Sequence, residues 1–358
     1  MPLNDELYRR LLYSAAERRI PAFVMCNLTR RCPLGCRHCY VDAPLPDEQE
    51  LSLAEYDDFF GQLAAAGTLF LAFSGGEVLV RPDFLDILAA ARRRQFAVRI
   101  FTSAWGLDAR LAEEIAKLQP AAVEISLHAE TPGLHDDFVG RAGAWESAVR
   151  AAEHLRALGV HVLIKFNAMN FNCQELEAVF ARAAGLGAEF RQSPFLFVAA
   201  DGGRRPLQLR MTDDQLRAYY GRLKARSAPD EPDLGVCDDD LAARAHANHY
   251  ALSCMASFNS CSVDPYGTVW PCVSLPIDVG NIRRTSFAEI WNGAAMNGVR
   301  AYADVLVGAC AECEYDAYCS RCAALAVVEE GDITKPTREH CRVARIAREV
   351  LGPPPGRR

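Results

Sequence analysis

Short apolar runs recur between residues 21 and 197, each bounded by turn residues or charge. A longer stretch with apolar positions three and four apart separates each run from the next. The runs at 22–28, 69–73, 97–102, 121–127, 161–167 and 189–195 predict strands. The stretches at 53–66, 83–94, 109–118, 144–158 and 174–184 predict helices. The first of these opens at Ser52 with Glu55 three residues on, the pattern of a capping box. Strands alternating with helices predict parallel strands joined by right-handed crossovers. Six strands are too few to close an eight-stranded barrel. The fold class expected is therefore α/β, an open partial (β/α)6 barrel of the TIM type. In such barrels chemistry gathers at the C-terminal ends of the strands.

The pattern divides the chain into an N-terminal helical segment (1–20), the barrel (21–200), a linker region (201–248), a cysteine-rich domain (249–347) and a disordered tail (348–358). The linker is rich in Gly, Arg and Pro at 201–210, and a helix is expected at 211–224.

Composition narrows the function classes. Half of the 358 residues are hydrophobic and 24% are charged, enough for a sizeable core. A net charge of −7 argues against a surface made for nucleic acid phosphates. No apolar run approaches the roughly 20 residues that span a bilayer. The first 19 residues lack a hydrophobic signal region. The expectation is a cytoplasmic protein with no membrane and no nucleic acid partner. Fourteen cysteines then stand out, because disulfides are disfavoured in a reducing compartment and metal ligation is the usual alternative. Four lie near the start and eight between Cys254 and Cys341, with only Cys173 and Cys237 between.

Cys32, Cys36 and Cys39 directly follow the first predicted strand, and Tyr40 comes next. Three thiolates at this spacing can hold three irons of a cubane and leave the fourth open to a small molecule. A tetrahedral zinc using His38 or Cys26 as a fourth ligand is the alternative.

With these motifs the chain resembles the radical SAM superfamily over 21–197. The resemblance implies that Cys32, Cys36 and Cys39 hold a [4Fe-4S] cluster whose open iron is chelated by S-adenosylmethionine (SAM). Ser74-Gly75-Gly76-Glu77 follows the second strand and resembles the family's Gly-Gly-Glu motif, which binds the SAM amino group. Val78 stands where the family commonly has Pro, and Arg81-Pro82-Asp83 beyond it also resembles the family. Weaker matches are Thr102-Ser103, Ser126 and, after His135-Asp136, Arg141. The resemblance points Ser126 and Arg141 toward SAM. Plain alternatives are a strand hydroxyl, a helix cap and a solvated arginine.

The C-terminal cysteines resemble the SPASM extension of peptide- and protein-maturing radical SAM enzymes. Cys254, Cys261, Gly267, Cys272, Cys310, Cys313, Cys319, Cys322 and Cys341 carry the resemblance, with two residues rather than three between Cys319 and Cys322. It implies two auxiliary [4Fe-4S] clusters. Cys254, Cys261, Cys272 and Cys322 would hold one, and Cys310, Cys313, Cys319 and Cys341 the other. Zinc is again the alternative.

The resemblance implies three [4Fe-4S] clusters and SAM as cofactors. An electron donor such as flavodoxin or ferredoxin would drive cleavage of SAM to a 5'-deoxyadenosyl radical, which abstracts hydrogen from a ribosomally made peptide. Crosslinking or oxidative modification would follow. The short segment before the first strand implies that any leader peptide is read by a separate binding protein or by the barrel surface. Side-chain oxidation of the sulfatase-maturase kind, dehydrogenation of a small molecule, and a non-enzymatic zinc protein stay open as alternatives. No catalytic acid or base is assigned; Asp264, Asp278 and His128 are polar candidates near motifs.

Overall fold

In a computed structural model, residues 5–41, 49–199, 203–226, 256–303, 310 and 313–353 are described. Six parallel strands form the first part of one sheet: β1 (Phe23–Thr29), β2 (Phe70–Gly75), β3 (Ala97–Thr102), β4 (Ala122–Ser126), β5 (Val162–Asn167) and β6 (Glu189–Ser193). They stand in chain order and do not close into a barrel. Each expected strand is present, with its ends no more than two residues from those expected.

Alternation along the strands sorts their side chains onto two faces. Val24, Cys26, Leu71, Phe73, Val98, Ile100, Val123, Ile125, Val162 and Ile164 join one core with residues of the covering helices. Those helices are α2 (Leu53–Ala65), α3 (Phe84–Arg93), α4 (Ala109–Lys117), α6 (Ala144–Ala157) and α7 (Leu176–Gly185). The capping box at Ser52 and Glu55 is formed. A further short helix, α5 (Pro132–Val139), was not legible in the periodicity. The inner face carries Asn27, Ser74, Arg99, Glu124, Ser126 and Lys165 instead.

The N-terminal helix α1 (Asp5–Glu17) meets this inner face, with Tyr8 edge-on to Phe70 at 5.3 Å. It is also tied to the C-terminal part, since Asn259 Nδ2 donates to Leu12 O at 2.9 Å.

The sheet does not stop at β1. Strands β7 (Ser260–Val263), β8 (Thr268–Trp270) and β9 (Gly280–Asn281) extend it to nine strands, β6-β5-β4-β3-β2-β1-β7-β8-β9. β7 runs parallel to β1, with Val24 opposite Cys261 and Cys26 opposite Val263. The two expected domains therefore share one hydrogen-bonded sheet.

The linker helix α8 (Asp213–Arg226) packs on the last helix, α12 (Arg338–Leu351), which follows α9 (Phe287–Asn292), α10 (Ala294–Ala303) and α11 (Ala323–Glu330). Helix continues to Leu351, into the stretch expected to be a disordered tail. The reason is packing: Arg217 pairs with Glu349 at 2.8 Å and Lys224 Nζ donates to Val350 O at 2.8 Å. Among the described residues no helix is long and apolar enough to cross a membrane.

Candidate functional site

The cysteine loop leaves the C-terminal end of β1 and is held from two sides. On one side the turn after β2 grips it: Gly76 N donates to Thr29 O at 2.7 Å and Glu77 N to Arg31 O at 2.9 Å. The backbones approach so closely that a Cβ at Gly76 would lie 2.3 Å from Arg31 O. Gly75 has φ +131°, open to glycine and rare for any other residue. On the other side the C-terminus of α5 supplies acceptors. Gly35 N donates to Val139 O at 2.8 Å and Arg37 N to Phe138 O at 3.3 Å. These carbonyls are among the last of a helix, which have no partner within it.

Cys32 is exposed, Cys36 and Cys39 are half-buried, and none of the three is in a disulfide. They line one open cleft together with Gly76, Arg205 and Gln208. Burial pushes the Cys36 thiol up to about 12, and the charges of Cys39 and Cys32 add to it. Burial likewise raises Cys32. The three thiols thus lie within one another's field and open on a common space. Among the described residues no three His, Cys, Asp or Glu side chains close on one point, as ligands of a single ion would. A soft, thiolate-only donor set facing an open cleft fits an iron–sulfur cluster with one side left free.

Glu77 lies fully inside. Its carboxylate accepts from Thr102 Oγ1 at 2.6 Å, Ser103 N at 2.8 Å and Leu79 N at 3.2 Å, and also from Ser103 Oγ. Burial raises its pKa, and these bonds work against that rise. Arg81 fixes the same turn to the rest of the fold. It donates to Leu28 O at 2.7 Å and Leu51 O at 2.9 Å and pairs with Asp83 at 2.7 Å.

Tyr40 is half-buried. Burial raises the pKa of its phenol, which bonds to the Ser74 side chain and feels the thiols of both Cys39 and Cys272. It stands between the two cysteine regions. Ser126 is half-exposed on the inner face, in register with Lys165. Arg141 is exposed, its guanidinium 4.7 Å from the Trp105 ring centroid.

His128 belongs to an aromatic cluster, 4.7 Å from His38 and 4.9 Å from Phe138. Burial holds His38 and His135 down to about 4 and pushes His128 well below its ordinary value, so all three are neutral near pH 7. Asp264 accepts from Tyr266 N at 3.0 Å and Thr268 N at 2.8 Å, the work of a turn residue. Asp278 is exposed and accepts from Gly280 N at 2.8 Å.

At the C-terminal cysteines, Cys310, Cys313, Cys319 and Cys341 lie within one another's electrostatic reach. Burial raises Cys319 to about 12, with Cys341, Cys310 and Cys313 adding their charge. Cys341 is presented from α12, whose N-cap Thr337 accepts from His340 N. Cys272 accepts from Ser274 N at 3.4 Å. Cys322 is half-buried at the N-cap of α11. Cys261 is set differently: alternation along β7 turns it into the helix-side core, near the Cys26 thiol and the Arg300 guanidinium. Cys254 and Cys237 lie outside the described residues.

Sequence reasoning missed one group. Arg99 on β3, Glu124 on β4 and Lys165 on β5 meet on the inner face. Arg99 Nε lies 2.5 Å from Glu124 Oε1 and Lys165 Nζ 3.2 Å from Glu124 Oε2. The available signal was a single charge at the centre of each of three otherwise apolar strands.

Two family models match the chain: the radical SAM superfamily at residues 26–179, and SPASM, an iron-sulfur cluster-binding domain, at residues 254–323. This chain carries a radical SAM domain followed by a SPASM domain. It is thus a radical SAM enzyme, in company with enzyme-named relatives. AdoMet-dependent heme synthase of Methanosarcina barkeri is 27% identical over 334 residues, 87% of this chain and 94% of that protein. PqqA peptide cyclase of Gluconobacter oxydans is 28% identical over 328 residues, 88% and 90% of the two chains. Among solved structures, Streptococcus suis SuiB bound to S-adenosylmethionine has a TM-score of 0.70 at 14% identity, covering 95% of this chain and 83% of that one. anSMEcpe with bound AdoMet and Cp18Cys peptide has a TM-score of 0.69 at 13% identity, covering 92% and 97%. At that identity the likeness is one of fold. The radical SAM and SPASM assignments agree with the placement of the two cysteine regions.

Proposed function

We propose that this enzyme modifies a peptide by radical chemistry. The observation that carries the reading is the cysteine loop, with three thiols opening on one cleft beside the Gly75-Gly76-Glu77 turn. Cys32, Cys36 and Cys39 would hold a [4Fe-4S] cluster, with SAM on its open side. When bound, this pair supplies a 5'-deoxyadenosyl radical able to take a hydrogen atom from a substrate carbon. The chain's own contribution is position and exclusion of water. Glu77, held in place by Thr102 and Ser103, would take the cationic amine of SAM in this reading. Ser126, Arg141 and Tyr40 are the further SAM contacts in this reading.

Cys310, Cys313, Cys319 and Cys341 would hold one auxiliary cluster, and Cys254, Cys272 and Cys322 most of a second. Cys261 joins that second set on the family resemblance alone. Two fold relatives were solved with peptides bound, SuiB with its precursor peptide SuiA and anSMEcpe with Cp18Cys peptide, which supports a peptide substrate. The reading includes a cytoplasmic setting, a flavodoxin- or ferredoxin-type electron donor and a separate leader-binding protein.

The test is anaerobic. Reconstituted protein with dithionite and SAM should release 5'-deoxyadenosine, and mass spectrometry of a co-expressed precursor peptide should show loss of hydrogens. Zinc in place of iron, with no nucleoside formed, would sink the reading.

A further inference from the structure

The inner face of the sheet holds more positive than negative charge, and the excess sits beside Ser126. Glu124 is 2% exposed, yet this one carboxylate serves both Arg99 and Lys165. Lys165 is also held 4.2 Å from the centroid of the Phe101 ring. A buried carboxylate between two partly exposed cations leaves one net positive charge, which attracts an anion. The next strand carries one cation and one carboxylate, so the excess stays at one. Lys165 stands in register with Arg191 of β6. The partner of Arg191, Glu189 at 3.0 Å, is shared with His161 at 3.1 Å. Lys165 is 36% exposed, so its ammonium is reachable from the open side.

We propose that Lys165, oriented by Glu124 and backed by Arg99, is a recognition point for a substrate carboxylate. This inference rests on the proposed peptide-modifying function and narrows it: the residue to be modified lies at or next to an acidic side chain. Register places Lys165 level with Ser126 at the C-terminal end of β4. A carboxylate seated on Lys165 would therefore hold the neighbouring substrate carbons on the side of the sheet where the cysteine loop lies. The ammonium has three donors, of which Glu124 takes one and the ring face another direction, so one is left for a ligand.

The test uses reconstituted holoenzyme and measures acetylation of Lys165 by a succinimidyl acetate, followed by mass spectrometry. The probes are the capped peptide Ac-Ala-Ala-Glu-Ala-Ala-NH2, its Gln counterpart, glutarate, and SAM alone. The Glu peptide should slow acetylation at least fivefold at millimolar concentration, and the Gln peptide should not. Protection by glutarate as well assigns recognition to the carboxylate alone, and protection by the peptide only assigns it to an acidic side chain in a peptide; either supports the site. Lys165→Arg should keep binding of a labelled Glu peptide, and Lys165→Gln should lose it. Equal effects of the Glu and Gln peptides, or full protection by SAM alone, would overturn the proposal. Release of 5'-deoxyadenosine by the same preparation reports separately on the reading beneath it.

Discussion

Thr102 donates its hydroxyl to the Glu77 carboxylate at 2.6 Å, tying the end of β3 to the turn after β2. A hydrogen bond to a buried charge contributes about 1.5–3 kcal/mol. Thr102→Val should therefore weaken SAM binding by roughly tenfold or more while leaving the iron content unchanged. Calorimetric titration of reconstituted protein with SAM, beside an iron assay, checks this. Parallel loss of iron and thermal stability would mean a general structural role instead.

Gly76 has no room for a side chain. Gly76→Ala would press a Cβ into the Arg31 carbonyl and push the cysteine loop off its seat. Overpacking of this kind costs about 1–3 kcal/mol. The melting temperature should fall, and the protein should recover less iron and cleave little SAM. Gly221→Ala, far from the loop, is the control, because nothing lies within 4 Å of a Cβ at that position.

The grouping of Cys310, Cys313, Cys319 and Cys341 makes a prediction about metal content. Cys341→Ser should lower bound iron by about four per chain, and Cys310→Ser should do the same without adding to it. Iron analysis of the single and double variants decides the matter. Additive losses would place the two thiols in different centres.

The bond from Arg283 holds the Glu55 carboxyl down to about 2, against the usual glutamate value of about 4.3. A depressed carboxyl adds stability that is present above its ordinary pKa and is lost as the pH falls through the folded value. The pair is over a third exposed at Glu55, so its worth after screening is about 1 kcal/mol or less. Urea denaturation of the metal-free protein should show Arg283→Met weaker at neutral pH, with the gap narrowing below about pH 4.5.

Much of this architecture was visible in the hydrophobic pattern. The six strands are short and apolar, because the helices cover the side that carries Val24, Phe73, Ile100 and Ile164. The cysteine loop and the Gly75-Gly76-Glu77 turn were legible because each follows a strand directly. α5 was not, since Pro132–Val139 is too short to show a period. Nor was the union of the two domains, because the pairing of Met25 with Ser262, and the side-chain bond from Asn27 to Ser262 across 235 residues, leave no local trace. The Arg99, Glu124 and Lys165 group escaped for a related reason. Each charge is one residue in its own strand, and only lateral pairing makes them a cluster.

The pairing of β7 with β1 also bears on how the chain is made. During synthesis β1 appears early, yet its second neighbour emerges only after more than two hundred further residues. Until then the strand carrying the cysteine loop presents a bare edge, open to pairing with other chains. Contacts so distant in sequence close slowly. Expression at lower temperature, with iron–sulfur assembly proteins supplied together, should therefore favour the soluble product over aggregates. A product ended before Ser260 should aggregate even though it contains the whole radical SAM domain.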